Sequence, residues 1–412
     1  MKLSIIICVY NTKRELFEGC LRSIKNSTLF SKSSPYTAEI IAVDDGSDTD
    51  YSDLIAKYEL KYTKTKNQGI FKARALGVSL ATGEYVAFVD SDDTVSFNYH
   101  APMIEKADND GADIVINDWA YHTDSSRYFT DADSTIMTEE MHLSGEEAIN
   151  AFLSQEGREH SYYVLWNKLY RRSLLQHAFE CAADDVREIQ QYNYSEDALI
   201  NFYAFLNANL VTNLHTGYYF YRIHTQQSVS VASEEKLKNQ ITLMSFTLDK
   251  MESSLKNRAN SKALIQHINA WREFISRSHF THAKSGGFKS LYPYIKEKYG
   301  TKKLKKSTYK DEICGMRCIP LPDNFSEIDE AFLSAWNEDT LPTLPKRATA
   351  YMLRTSDYFV SHAKNTDSAS IKIPVPIIPL KKKLRFNKLL MRIARIIFPK
   401  GSKMRAFLKK HM

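Results

Sequence analysis

The sequence predicts an α/β fold, an open and mostly parallel sheet flanked by helices. Three observations carry that expectation. Short apolar runs alternate with segments of helical periodicity over the first 120 or so residues. Turn-forming residues bound the runs, and acidic clusters stand at their carboxyl ends. Ligands in open sheets of this kind bind beyond the carboxyl ends of the strands, so those acids are the first functional clue.

Residues 3–9 (LSIIICV) form a continuous, β-branched run that suits a strand covered on both faces. Thr12-Lys13-Arg14-Glu15 has capping-box spacing, and Leu16, Cys20, Leu21 and Ile24 follow at helical intervals. Residues 39–43 (EIIAV) predict a second strand ending in Asp44-Asp45-Gly46-Ser47. Residues 70–80 read as a helix that stops by Gly83. Residues 85–89 (YVAFV) form a strand ending in Asp90-Ser91-Asp92-Asp93, and 113–116 (DIVI) a fourth. From about 145 to 230 helices predominate, with Tyr218-Tyr219-Phe220-Tyr221 expected as a strand returning to the sheet. From 234 to 365 the chain reads as helical and charged, broken by Pro320, Pro322, Pro342 and Pro345. Residues 373–379 (IPVPIIP) form an extended, proline-stiffened linker. The expected organisation is a domain over 1–230, a helical region over 231–368 and a linker with a basic tail over 369–412.

The composition is that of a globular protein, 43% apolar and 25% charged. The formal charge of +6 averages two unlike parts: 13 of the 55 basic residues lie in the last 42 positions, where no acid occurs, leaving 42 basic against 49 acidic residues before them. A mildly acidic body with a basic tail argues against a nucleic-acid binder and for a local electrostatic task at the C-terminus. Cys8, Cys20, Cys181, Cys314 and Cys318 make no disulfide framework, and Cys314 and Cys318 lack the second pair a zinc site needs. No run of about 18 apolar residues exists, and the N-terminal run reads as a strand rather than a signal peptide. A reducing cytosolic location is expected.

Several clusters carry chemistry, each with a plainer structural reading beside it. Asp90 and Asp92, one residue apart at a strand end, suit a hard divalent cation or an Asx-turn. Asp44 and Asp45 suit a ligand's N–H or sugar hydroxyls, or again a turn. Asn67-Gln68-Gly69 precedes a helix that carries Arg74, a candidate for a phosphate or for structure. Ser195-Glu196-Asp197 opens a helix as a cap with two acids, or offers Asp197 as a general base. Tyr221-Arg222-Ile223-His224, with Ser230 beyond, brings a cation and an imidazole toward a diphosphate or stays structural. In residues 384–398, Arg385, Lys388, Arg392 and Arg395 are spaced 3, 4 and 3 with Leu389, Leu390, Ile393, Ile396 and Ile397 largely opposite. That basic amphipathic helix suits an anionic membrane surface, through residues 381–412, or docking on protein. Lys302-Lys303-Leu304-Lys305-Lys306 suits a solvated loop or an anionic acceptor.

In order, Val9-Tyr10-Asn11, Val43-Asp44-Asp45-Gly46-Ser47, Asn67-Gln68-Gly69 with Ala73-Arg74, Phe88-Val89-Asp90-Ser91-Asp92-Asp93, Trp166-Asn167-Lys168-Leu169-Tyr170, Glu196-Asp197, and Tyr221-Arg222 with His224 and Ser230 form a specific series. The series resembles glycosyltransferase family 2, inverting enzymes of GT-A fold, from residue 3 to about 230. Cys8 replaces the family's usual Pro and Ala75 its frequent Asn. The resemblance implies a nucleotide-sugar donor, most often UDP-linked, and Mg2+ or Mn2+ on its diphosphate. Tyr10 and Asp44 or Asp45 would contact the base, and Arg74 would sit near the nucleotide. Asp90 and Asp92 would serve the ribose and the metal, with His224 also at the metal. Asn11, Asn67, Gly69, Ser91, Lys168, Glu196, Arg222 and Ser230 would contact substrate, and Asp197 would deprotonate the acceptor hydroxyl. A surface polysaccharide or lipid-linked glycan is the implied acceptor, and a homo-oligomer stays open. A nucleotidyltransferase or a non-catalytic sugar-nucleotide binder would share the carboxylate pair without needing Asp197.

Overall fold

The computed structural model describes residues 1–123, 128–132, 140–223, 233–305 and 316–320. The chain begins β1 (Leu3–Val9), α1 (Arg14–Lys25), β2 (Ala38–Asp44), α2 (Ser52–Tyr58), β3 (Lys61–Lys64), α3 (Ile70–Leu80), β4 (Tyr85–Phe88). It continues β5 (Thr94–Val95), α4 (His100–Asp110), β6 (Ile114–Ile116), β7 (Trp119–Thr123), β8 (Tyr128–Ala132), β9 (His142–Ser144), α5 (Glu146–Ser154), α6 (His160–Tyr163). Then follow β10 (Lys168–Arg171), α7 (Arg172–Asp185), α8 (Glu196–Asn207), β11 (Leu210–Asn213), β12 (Tyr219–Ile223), α9 (Glu234–Leu255), α10 (Ser261–Ser285), α11 (Leu291–Tyr299) and β13 (Met316–Pro320).

An eight-stranded sheet of order β3-β2-β1-β4-β10-β6-β11-β9 forms the centre. Its pairs are parallel except where β10 and β9 enter antiparallel. The apolar run of β1 follows from burial on both faces: Ile6 packs in one core with Ile41, Val86 and Phe88, while Ile5 and Ile7 pack in the other with Phe17 and Leu21 of α1. The first of these cores extends without a break into α9 and α10 through Leu237, Ile241, Leu248, Ile268 and Trp271. Among the described residues no helix is long and apolar enough to cross a membrane.

Three expectations change. The aromatic stretch does not rejoin the central sheet, because β10 occupies the place beside β4. Instead β12 lies in a second sheet of order β13-β8-β7-β12-β5, which also takes residues 316–320 out of the expected helical region. The capping box does not form: Lys13 is the N-cap of α1 without a side-chain bond, because the Thr12 hydroxyl bonds Ser91 Oγ at 2.6 Å. The linker over 373–379 and the tail over 381–412 lie outside the described residues, as do Lys306 and Cys314.

His100 is fully buried and neither ring nitrogen has a hydrogen-bond partner. Burial lowers its pKa to about 3, so the fold holds the neutral imidazole, whereas the unfolded chain protonates it near the ordinary value of about 6.5. Stability from this group is complete above that value and falls as pH drops below it, by roughly 1 kcal/mol per pH unit. We expect His100→Leu to raise stability at pH 7 by about 1 kcal/mol, the cost of an unsatisfied buried polar group. Urea unfolding at pH 7 and 5.5 checks this, with the larger gain at the lower pH.

Candidate active site

The carboxyl ends of β1, β2 and β4 converge, and side chains there bind one loop to the next. Past β1, Asn11 adopts a left-handed φ of +50°, which Asn tolerates better than most residues. Its amide donates to Ser47 Oγ at 2.9 Å, and its Oδ1 accepts from the Asp48 amide at 2.8 Å. Tyr10 beside it is 54% exposed, unusual for a large ring. Past β2, Asp44 is fully buried; it accepts from the Ser47 amide at 2.7 Å and from Tyr62 OH at 2.6 Å. Asp45 accepts from the amides of Gln68 and Gly69, both at 2.8 Å. Asp44, expected as one of two candidates for base contact, therefore builds the turn and offers a ligand no surface.

The amides leading into α3 are used within the protein: Asp45 takes those of Gln68 and Gly69, and Asn193 Oδ1 accepts from Ile70 at 3.1 Å. Gly69 has φ +92°, a conformation that residues with side chains rarely adopt, and a Cβ there would press on the Asn193 amide, so glycine is favoured. Asn67 accepts from Gln191 at 3.0 Å. A cavity of about 410 Å³ between α3 and the end of α7 shares Asp45 and Gln68 with this region and is lined further by Phe71, Lys72, Leu76 and Arg187. The catalytic candidates do not line it.

Arg74 is the junction. Its side chain is 7% exposed, and it donates to Glu196 Oε1 at 2.7 Å and Asp90 Oδ1 at 3.2 Å, with its guanidinium 5.9 Å from the centre of the Phe88 ring. The expectation that Arg74 sits at a ligand's phosphate gives way to a buried strut joining α3, the end of β4 and the start of α8. Lys168 also moves inward. At 1% exposure, its ammonium donates to Val164 O and to Asn167 Oδ1 at 2.8 Å, and burial drives its pKa well down. It is not placed to touch a ligand.

Asp90 keeps 30% of its side chain exposed. Its amide donates to Tyr219 OH at 3.0 Å, and that hydroxyl donates to Asp93 Oδ2 at 2.6 Å. Asp93 also accepts from the Arg222 amide at 2.7 Å, while Arg222 Nε donates to the Asp92 carbonyl at 3.0 Å. Tyr219 stacks on Trp166 at 4.4 Å. Asp93, Tyr219, Tyr62 and Asn193 thus hold the site together, though none of them is among the sequence-predicted site residues. Tyr219 carried a signal in its aromatic run; Asn193 carried none.

Asp197 stands in the first turn of α8 and accepts from the Ala198 amide at 2.9 Å. Burial raises its pKa; Arg74 and the Ala198 amide pull it down and Asp90 pushes it up. Burial and Asp197 raise Glu196 to about 7 against the pull of Arg74. Burial also raises Asp90, opposed by Arg74 and reinforced by Asp92. The site holds more negative charge than its buried cation neutralises. Among the described residues no three His, Cys, Asp or Glu side chains converge as a metal cage. Asp90 and Asp92 supply hard oxygens in a crowded anionic setting. That donor set fits Mg2+ or Mn2+ bound by one or two carboxylates, with water and phosphate completing the shell. His224 and Ser230 lie outside the described residues.

The fold resembles the crystal structure of Staphylococcus aureus TarS residues 1–349 in complex with UDP-GlcNAc. The TM-score is 0.53 at 18% identity, over 89% of this chain and 93% of that one. Residues 4–179 match the model of glycosyl transferase family 2. The chain is 30% identical over 272 residues to the cholesterol galactosyltransferase of Borreliella burgdorferi, covering 62% of this chain and 68% of that protein. It is 28% identical over 309 residues to EpsH of Bacillus subtilis, covering 72% and 85%. This is a GT-A fold, and the chain belongs to glycosyltransferase family 2.

Removing the buried Arg74 leaves two carboxylates without their counter-charge. We expect Arg74→Met to cost about 3–5 kcal/mol of stability at neutral pH, read by urea unfolding. The deficit should shrink as pH falls and the carboxylates protonate, since only their ionised forms need the cation.

Proposed function

We propose that the protein is an inverting transferase that moves a hexose or N-acetylhexosamine from a UDP-linked donor to a hydroxyl of a growing surface polysaccharide or lipid-linked glycan. The observation that carries this is the Arg74 junction. It draws the Asp90–Asp93 loop and the Asp197 turn, far apart in sequence, into one electrostatic cluster. A displacement at an anomeric carbon needs a base on one side and a stabilised leaving group on the other. That TarS was captured with UDP-GlcNAc supports the donor class.

In this reading the exposed Tyr10 ring stacks on the nucleobase, Asn11 and Asp45 shape the pocket that receives it, and Asp90 with Ser91 meets the ribose. Ionised Asp197 accepts the proton of the acceptor hydroxyl as its oxygen bonds to the anomeric carbon and the bond to the diphosphate breaks. UDP departs, and the single displacement inverts the configuration. A divalent ion held by Asp92 and Asp90, with His224, would neutralise charge on the departing diphosphate. Arg222 lies at the same loop and adds a fixed cation. The body is proposed to work at the inner face of the cell membrane, attached through the basic residues 381–412.

Incubation with UDP-glucose, UDP-galactose, UDP-GlcNAc and UDP-GalNAc plus Mn2+ should give slow hydrolysis of at least one donor; hydrolysis of none would sink the reading. Asp197→Asn should lower turnover at least about 100-fold, the scale of a lost general base, with UDP affinity within about twofold by calorimetry. Because burial raises Asp197, the acid limb of the pH–rate profile should lie above the ordinary aspartate range near 4. Activity is lost as pH falls and the base protonates. For the tail, the full chain should float with phosphatidylglycerol-containing liposomes while a chain ending at residue 370 stays in the soluble fraction. Equal flotation of both would remove the attachment.

A further inference from the structure

The helices after residue 233 reach the turn that carries Asp197. Ser195, immediately before α8, holds φ +63°, a left-handed conformation that costs a non-glycine residue about 1 kcal/mol or more. It stands in the N-cap position, yet its hydroxyl makes no capping bond to the helix. That hydroxyl donates to the Tyr194 carbonyl at 2.5 Å, and its oxygen lies 2.7 Å from Thr247 Oγ1 of α9.

Thr247 is fully buried. Its Oγ1 lies 2.8 Å from the Leu243 carbonyl and meets two hydroxyls of the same turn, Ser195 Oγ and Tyr192 OH. With the Ser195 proton on the Tyr194 carbonyl, Thr247 has its own proton to give to Ser195 Oγ or to Leu243, and its oxygen accepts from Tyr192. Tyr192 is 2% exposed, so its hydroxyl depends on partners inside the protein. A second tether runs parallel. Tyr194 OH meets His279 Nε2 at 3.5 Å, and His279 Nδ1 meets Tyr299 OH at 2.8 Å, joining α10 and α11 to the same segment.

We infer that Thr247 is a positioning residue for the general base. As a buried hydroxyl shared between them it fixes Tyr192 and the left-handed Ser195, and so sets the direction in which Asp197 leaves the first turn of α8. The helices over 233–305 are then part of the catalytic unit, acting on the proposed base through this hydroxyl. The inference rests on Asp197 being the base.

The test uses the full chain and whichever UDP-sugar of the four-donor panel the unaltered protein hydrolyses. Thr247→Val keeps the shape and removes the hydroxyl. It should lower kcat for donor hydrolysis at least tenfold, with KM for the donor and the calorimetric Kd for UDP within about twofold. Thr247→Ser, which keeps the oxygen, should return kcat to within about threefold of the unaltered protein. Ser195→Gly accommodates the left-handed φ and so folds, but it loses the tether; it too should lower kcat without raising KM. A Thr247→Val protein with unchanged kcat beside an inactive Asp197→Asn overturns the inference and leaves the base assignment standing. An active Asp197→Asn removes the base assignment and the inference with it. If Thr247→Val does not fold, Ser195→Gly decides alone: full kcat there overturns the inference, and a kcat loss at constant KM upholds it.

Discussion

One buried guanidinium holds the candidate site together. Arg74 sits between Asp90 and Glu196, groups separated from it by 16 and 122 residues in sequence. A planar cation with several donors can serve two carboxylates at once, which a lysine ammonium does less well. Taking these charges out of water is costly, so their geometry has to be good for the arrangement to persist. The result is a rigid connection between the strand end proposed to hold the diphosphate and the helix start proposed to hold the base. The cation does not discharge the cluster. Glu196 still rises to about 7, and Asp90 and Asp197 rise as well. That residual repulsion is what a bound cation or a transferred proton would relieve.

Around this junction most polar groups are already spent on the protein itself. Asp44 and Asp45 close turns, Thr12 ties the first loop to Ser91, and Asn193 caps α3. Each bond is worth only about 1 kcal/mol, but together they fix loops that otherwise move. Among the groups still turned outward are the Tyr10 ring, part of Asp90, and the partly exposed Asp92 and Asp197. The chemistry proposed for the site centres on these.

The sequence showed the central strands well because burial on both faces writes itself as an unbroken apolar run, as in residues 3–9. The acids at strand ends were equally plain. Which of them face a ligand was not, because that depends on partners remote in sequence. Asp44 is taken by Tyr62, and Arg74 and Glu196 take each other. Lys168 looked like a contact residue and proved to be core, since its acceptors, Val164 and Asn167, are main-chain and amide oxygens with no charge pattern to betray them. The two-residue strand Thr94–Val95 falls below the length at which periodicity speaks, and Tyr219–Ile223 reads as a strand without saying which sheet it joins. The destination of the aromatic stretch was therefore hidden until β10 was seen to fill the central position.

The charged helices beyond residue 233 carried no motif, and their amphipathic pattern announces packing alone. Packing turns out to be the route to chemistry. Leu237, Ile241 and Leu248 enter the same core as the sheet, which places α9 against α8. Once that contact exists, Thr247, on the same helix and fully buried, must find partners for its oxygen. The nearest hydroxyls belong to the turn before Asp197. A hydrophobic stripe thus brings a hydroxyl to a strained residue beside the proposed base. Hydrophobic pattern decides where α9 lies, and a single polar atom within it decides what that placement does.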